Sequence, residues 1–292
     1  VIPIQGMPSA PHLDFAGEIR REIDFPTFHG AKIQDVATAR YAIASGKVDM
    51  IGMTRAHMAD PHIVRKIAEG REEEIRPCVG ANYCLDRIYQ GGAAYCIHNA
   101  ATGRETTMPH TISKAAQQRR VVIIGAGPAG LEAARVAGER GHSVVVFEAA
   151  SDAGGQIRLT AQSERRREML GIIDWRLARC DALGVEIRYN VWAEAEDVRA
   201  EKPDAVIVAT GGYPMEDQPA VGSDLVVYTW DILSGHVSPG KRVLLFDDAG
   251  DHAALQAAEI IAAAGAELEI MTPDRTFSAE IMAMNLVPYM RS

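Results

Sequence analysis

One stretch limits the fold more than any other. Val121-Val122-Ile123-Ile124 runs straight into Gly125-Ala126-Gly127-Pro128-Ala129-Gly130, and an alanine-rich segment follows. Four apolar residues ending on a glycine read as a buried strand, and the glycine spacing reads as a tight turn into a helix. Gly125 permits the turn, Gly127 lets a pyrophosphate reach the backbone, and Gly130 lets the helix pack against the strand. Pro128 and Ala129 then fall in the first helical turn, whose free N–H groups and dipole favour a diphosphate. A glycine triplet alone is a weak signal, since such a turn can bind nothing. Here the next strand closes on Glu148, 18 residues after Gly130, where a carboxylate can accept hydrogen bonds from ribose hydroxyls.

Two later segments bear on which dinucleotide is bound. Asp152-Ala153-Gly154-Gly155-Gln156 follows the acidic strand, and Val206-Ile207-Val208-Ala209 ends on Thr210-Gly211-Gly212. With the fingerprint they resemble the FAD domain of disulfide-reductase-like flavoproteins. The resemblance implies FAD, or a bare ADP, near Gly155, Gln156, Thr210 and Gly211. A second turn follows Val243-Leu244-Leu245-Phe246 but reads Asp247-Asp248-Ala249-Gly250-Asp251-His252. One glycine stands where a nicotinamide-binding turn needs three, and two carboxylates would repel a phosphate. NAD(P)H binding and a structural copy of the fold are both open there.

The α/β rhythm extends along most of the chain. Residues 25–30 read as a strand, 34–45 as a helix opening near Asp35, 48–53 as a strand and 61–69 as a helix started by Asp60-Pro61 and ended by Gly70. Two strands each followed by a helix predict parallel crossovers. From Arg119 the reading gives strands at 121–124, 144–148, 185–190 and 205–209, with helices at 128–140 and 166–183. A strand at 242–246, a helix at 252–264 and a strand at 267–271 repeat the theme. The expected units are 1–75, a loop and linker at 76–118, a dinucleotide-binding domain at 119–225, and a second, incomplete nucleotide-binding-like unit at 226–292.

Charge narrows the partners. Against 30 basic residues stand 39 acidic ones, a net charge of −9, which argues against nucleic acid or an anionic membrane. No apolar run approaches the roughly 18–20 residues that span a bilayer, and Val1-Ile2-Pro3-Ile4 does not open a secretory signal. The reading is a cytoplasmic protein, cut from a longer one at both ends.

Three of the four cysteines, Cys78, Cys84 and Cys96, fall within 19 positions in the pattern C-x5-C-x11-C. Closely spaced thiolates on a loop suit an iron–sulfur cluster, although reduced cysteines without metal fit the spacing as well. Cys180 lies on a predicted helix, where a thiol packs as a small apolar group.

The order of these motifs resembles the iron–sulfur flavoenzymes related to old yellow enzyme, a family that includes trimethylamine dehydrogenase and 2,4-dienoyl-CoA reductase. The resemblance covers nearly the whole chain. It implies that residues 1–75 are the last two β/α units of an FMN-binding TIM barrel. Gly30-Ala31-Lys32 and Gly52-Met53-Thr54-Arg55 would then hold the FMN phosphate, through the amides of Ala31 and Thr54 and the cations of Lys32 and Arg55. The family's cysteine loop carries four thiolates; Cys78, Cys84 and Cys96 match three, and Ala81 stands in the place of the second. A 4Fe-4S cluster with another ligand, a 3Fe-4S cluster or no cluster are all open, and His98 reads as an ordinary loop histidine.

The leading functional expectation is oxidative demethylation of an N-methylated amine, as the family's amine dehydrogenases imply. Hydride passes to FMN, water hydrolyses the iminium to formaldehyde and the demethylated amine, and electrons leave for an external electron-transfer protein. The alternative is an NAD(P)H-dependent enoate or dienoyl-CoA reductase. A third reading, from another class, is a non-catalytic nucleotide-binding module. The partners expected are a small-molecule substrate and an acceptor protein, with a homo-oligomer allowed. No catalytic residue can be named, because on this reading substrate groups belong to earlier barrel strands.

Overall fold

A computed structural model describes residues 2–214 and 221–290. Residues 291–292 of the expected 226–292 unit, and 215–220 of the 119–225 unit, lie outside the described residues. Among them, no helix is long and apolar enough to cross a membrane.

The first unit holds helix α1 (Leu13–Glu22), strand β1 (Phe28–His29), helix α2 (Val36–Ala44), strand β2 (Met50–Ile51) and helices α3 (Thr54–Ala59) and α4 (Ile63–Ala68). The strands pair in parallel, Phe28 beside Met50 and His29 beside Ile51, as two β/α units require. Asp35 caps α2, its carboxylate accepting the Thr38 N–H at 2.7 Å. Asp60 does not simply start a helix at Pro61. Helix α4 opens two residues later, and Asp60 is buried, accepting the amides of His62 and Arg76 and the Lys66 ammonium. A small core of Leu13, Ala16, Ala42 and Val48 joins α1 to α2 and β2.

The cysteine segment is less irregular than the sequence implied. Helix α5 (Tyr83–Tyr89) begins inside it, after Asn82 in the left-handed region at φ 60°. Residues 102–118 contain no helix or strand.

The central unit is a four-stranded parallel sheet in the order β5-β4-β3-β6, built from β3 (Arg120–Ile124), β4 (Ser143–Phe147), β5 (Glu186–Arg188) and β6 (Ala205–Val208). Val121, Val122, Ile123, Val145 and Val146 are buried, which explains the continuous apolar run of a strand covered on both faces. Helix α6 (Pro128–Glu139) crosses from β3 to β4, and helices α7 (Gln156–Thr160) and α8 (Gly171–Ala182) lie between β4 and β5. The expected helix at 166–183 is in fact two pieces: residues 164–170 form a tighter 3₁₀ turn, and regular helix begins at Gly171. Cys180 is fully buried in this core with Leu131, Ala134 and Ile173. Helix α9 (Ala195–Ala200) precedes β6.

The last unit contains α10 (Thr229–Ser234), β7 (Arg242–Phe246), α11 (His252–Ala263), β8 (Glu267–Met271) and α12 (Ala283–Tyr289), with β7 and β8 parallel. Its core gathers Ile232, Leu245, Ala257 and Ile261. Ion pairing ties it to the central unit, for Arg165 meets Glu259 at 2.7 Å and Gln256 donates to the Thr160 carbonyl at 2.6 Å.

Candidate functional site

Every segment read as contacting a dinucleotide converges on the end of β3. Gly125 adopts φ +100°, which an L side chain avoids, and a Cβ there would overlap the Ala209 carbonyl that closes β6. A Cβ on Gly130 would overlap the Gly125 carbonyl oxygen, so α6 can lie this close to β3 only without a side chain. Gly127 is different: no protein atom lies within 4 Å of where its Cβ would be. It caps α6, Pro128 fills the first helical position, and Ala129 and Gly130 have amides without partners inside the helix. An open concavity faced by such amides is what a diphosphate needs.

The other walls come from the predicted residues. Glu148 turns into the crevice, accepting the Ala126 N–H at 2.6 Å and the Ala150 N–H at 2.9 Å. Gly154 donates to the Ala126 carbonyl at 2.9 Å, which lays the 152–156 loop over the turn, and Gly155 comes close to Gly127. Gln156 donates to the Gly212 carbonyl at 3.2 Å, so Thr210 and Gly211 at the end of β6 form the far side. The residues present fit an adenine dinucleotide, with the Glu148 carboxylate standing on the turn.

The second turn is built to opposite effect. Asp247 is 2% exposed, and its carboxylate accepts the Gly250 N–H at 2.9 Å and the Ser278 N–H at 2.6 Å. Glu280 donates back to the Gly250 carbonyl at 3.0 Å. The Gly250 amide of the turn therefore holds the protein's own anion, and residues 278–280 lie across the turn. Sequence reasoning saw repulsion here; the structure shows substitution.

Cys78, Cys84 and Cys96 line one pocket, together with Ala81, Arg55, Met58, Asn82 and His98. Burial pushes the Cys78 thiol up to about 11 and raises that of Cys84. Among the described residues no three His, Cys, Asp or Glu side chains converge on a single metal ion. A cluster differs from an ion, since each thiolate binds a separate iron. Three thiols round one pocket fit three corners of such a cluster, and Ala81 offers the fourth none. His98 is 1% exposed; its Nδ1 lies 2.9 Å from the Pro77 carbonyl, and burial lowers its pKa to about 3, so the ring is neutral.

The predicted phosphate residues of the first unit divide. Gly30 and Gly52 face each other at the ends of β1 and β2, and a Cβ on Gly30 would come 3.3 Å from the Gly52 carbonyl oxygen. Ala31 adopts φ +85° and Thr54 is the first residue of α3. The cations are engaged elsewhere. Lys32 is buried, pairs with Glu168 at 2.9 Å and donates to the Met7 carbonyl, because an ammonium out of water needs such partners. Arg55 donates to the Asn82 side chain at 2.7 Å and faces the cysteine pocket.

Sequence reading missed the buried charge cluster that joins the cysteine segment to the central unit. Glu132 meets Arg135 at 2.6 Å, Arg176 at 2.9 Å and Arg76 at 3.9 Å. Arg76 stacks 4.3 Å over the Trp175 ring, whose indole N–H donates to the Glu74 carbonyl at 3.0 Å. The signal was present in part: Glu132, Arg135 and Glu139 stand at helical spacing on α6.

Comparison with known proteins agrees with this geometry. The family of NAD(P)-binding Rossmann-like domains matches residues 123–172. The chain is 74% identical over its full length to the "Probable N-methylproline demethylase" of Rhizobium meliloti (strain 1021), spanning 43% of that protein. It is 47% identical over 94% of its length to the "Multifunctional alkene reductase/demethylase OYE" of Caballeronia cordobensis, spanning 40% of it. In structure it is similar to 6-hydroxypseudooxynicotine amine oxidase from Pseudomonas geniculata N1, with a TM-score of 0.91, 26% identity and coverage of 99% of this chain and 45% of that one. The chain thus spans less than half the length of the relatives it matches.

Proposed function

We propose that this chain, homologous along its length to demethylating and amine-oxidising flavoenzymes, is the electron-handling portion of a flavin-dependent oxidoreductase that demethylates an N-methylated amine. The observation that carries the reading is the contrast between its two turns. One is an open cradle of amides with a carboxylate for the ribose, and the other is filled by Asp247. A protein that received electrons from NAD(P)H bound at its second nucleotide-binding-like unit would need that turn open.

On this reading residues 1–75 are the closing β/α units of a TIM barrel, with Gly30, Ala31, Gly52 and Thr54 positioned to take the FMN phosphate through their backbone. FMN, when bound, supplies the hydride acceptor for the amine. Gly125–Gly130 and Glu148 hold FAD or ADP, Gly155 and Gln156 cover it, and Thr210 and Gly211 close its side. Cys78, Cys84 and Cys96 would hold an iron–sulfur cluster beside Arg55, whose positive charge favours the thiolate form. Ala81 supports a cluster with one corner not ligated by cysteine. The acceptor is an external electron-transfer protein, and the compartment is the cytoplasm.

The alternative, an NAD(P)H-dependent alkene reductase, is favoured by the name of the Caballeronia relative, which carries both activities. Anaerobic mixing of the full-length enzyme separates the two. N-methylproline is expected to bleach the flavin absorbance while NADPH leaves it unchanged. Bleaching by NADPH with no response to the amine would establish the reductase instead.

A further inference from the structure

A second cleft lies away from the dinucleotide crevice, where α4, residues 71–76, the linker and helices α6 and α8 meet. It encloses about 770 Å³ of space, solvent mouth included, and its walls carry Arg65, Lys66, Arg71, Arg76, Arg135 and Arg179. In a chain of net charge −9 such a concentration of cations is a local inversion. Only three carboxylates share the walls, and each is already engaged. Asp60 holds Lys66 at 2.6 Å, Glu74 holds Arg71 at 2.7 Å and Arg179 at 3.4 Å, and Glu139 holds Arg135 at 2.8 Å.

Two guanidinium groups are left over. Arg65 forms no ion pair among the described residues, although Glu69, one turn on, feels its charge at longer range. Arg76 reaches only Glu132, at 3.9 Å, and that carboxylate already serves Arg135 and Arg176 at shorter range. The buried Nε of Arg76 and the buried Nε2 of His62 have no hydrogen-bond partner. His110 stands beside His62, the ring centroids 6.3 Å apart, and is itself engaged by Glu105 at 3.4 Å and Asn99 at 3.3 Å. Unpaired polar groups of this kind, out of water, favour a counter-charge.

We propose that this cleft binds a small, doubly charged oxyanion of the phosphate class, held between Arg65 and Arg76 with a hydrogen bond from His62. The planar donor fork of arginine matches a tetrahedral oxyanion better than a halide. Such an anion pins the cysteine segment, which carries Arg76, to helices α6 and α8 of the central unit. The site is independent of the amine-oxidation reading and of the fingerprint turn.

The test uses the full-length protein with FMN and adenine dinucleotide saturating, so that inorganic phosphate cannot report from those sites. Phosphate is expected to raise the unfolding midpoint in a saturable way, relative to chloride at matched ionic strength. Arg65→Gln, on an exposed side chain, should leave the midpoint in chloride unchanged and weaken phosphate binding about tenfold, one charge-assisted contact's worth. His62→Gln should weaken it less. An equal response to chloride and phosphate, or wild-type phosphate affinity in both variants, overturns the proposal.

Discussion

Gly127→Val is expected to leave the protein folded, with an unfolding midpoint close to wild type, while lowering affinity for ADP by about a hundredfold or more. The new side chain meets no protein atom, because nothing lies within 4 Å of a Cβ at that position. On the proposed function, what it would meet is the diphosphate. Displacing that group from the amides of the first helical turn forfeits two charge-assisted hydrogen bonds of about 1.5–3 kcal/mol each, and each 1.4 kcal/mol is about a factor of ten. Gly130→Ala should behave oppositely, since its methyl group collides with the Gly125 carbonyl and must move α6 off β3. A loss of about 3 kcal/mol in stability is expected there. Denaturant unfolding and ADP titration of both variants separate the roles: one glycine serves the ligand and the other the fold.

The second large effect concerns a carboxylate with no part in binding. Glu132→Ala removes the counter-charge of Arg76 and Arg176 and one of the two carboxylates that hold Arg135, and each of those guanidinium groups is largely withdrawn from water. Breaking a buried pair by removing one partner costs about 3–5 kcal/mol, so the variant should unfold at markedly lower denaturant. The same cluster sets a pH dependence. Burial by itself would raise the Glu132 carboxyl, but the hydrogen bond from Arg135 and the charges of Arg176, Arg135 and Arg76 hold it at about 2, below its ordinary 4.5. A folded-state pKa below the unfolded one gives stability that is complete above pH 4.5 and is lost as pH falls towards 2. Acid titration of unfolding stability should show this slope in the wild type. Glu132→Gln, which cannot titrate, should flatten it.

The middle of the central sheet was legible because β3 and β4 are mostly apolar and run into Gly125 and Glu148, so period and punctuation agree, whereas β5, Glu186–Arg188, carries neither signal. The fingerprint was legible for the same reason. Its roles at Gly125, Gly127 and Gly130 follow from where a side chain would collide, and the glycine pattern already encodes that. Short helices were harder. Helices α3, α5 and α7 have too few residues to show a period, and Asn82 at φ 60° gives no sequence warning that a helix starts after it. The break at Gly171 was hidden because an arginine-rich run at 164–170 suits either kind of helix.

The candidate site divides along similar lines. Backbone geometry, as at Gly30, Gly52 and the first turn of α6, could be read from glycine placement. Long cationic side chains could not. Lys32 and Arg55 sit next to the expected phosphate position in sequence, yet Glu168 and Asn82, distant in the chain, decide where their charges rest. Asp247 shows the same lesson with the sign reversed. Its carboxylate does not keep a ligand away at a distance; it occupies the Gly250 amide itself, with help from Ser278, 31 positions on.

The central claim is that this chain holds one working adenine-nucleotide cradle, at the turn after β3, and one that its own carboxylate has closed. Calorimetric titration of the full-length protein, stripped of flavin, with ADP tests it most directly. The account predicts a single equivalent bound per chain, abolished by Gly127→Val and unaffected by Asp247→Asn. No binding, or one equivalent that survives Gly127→Val, would contradict it.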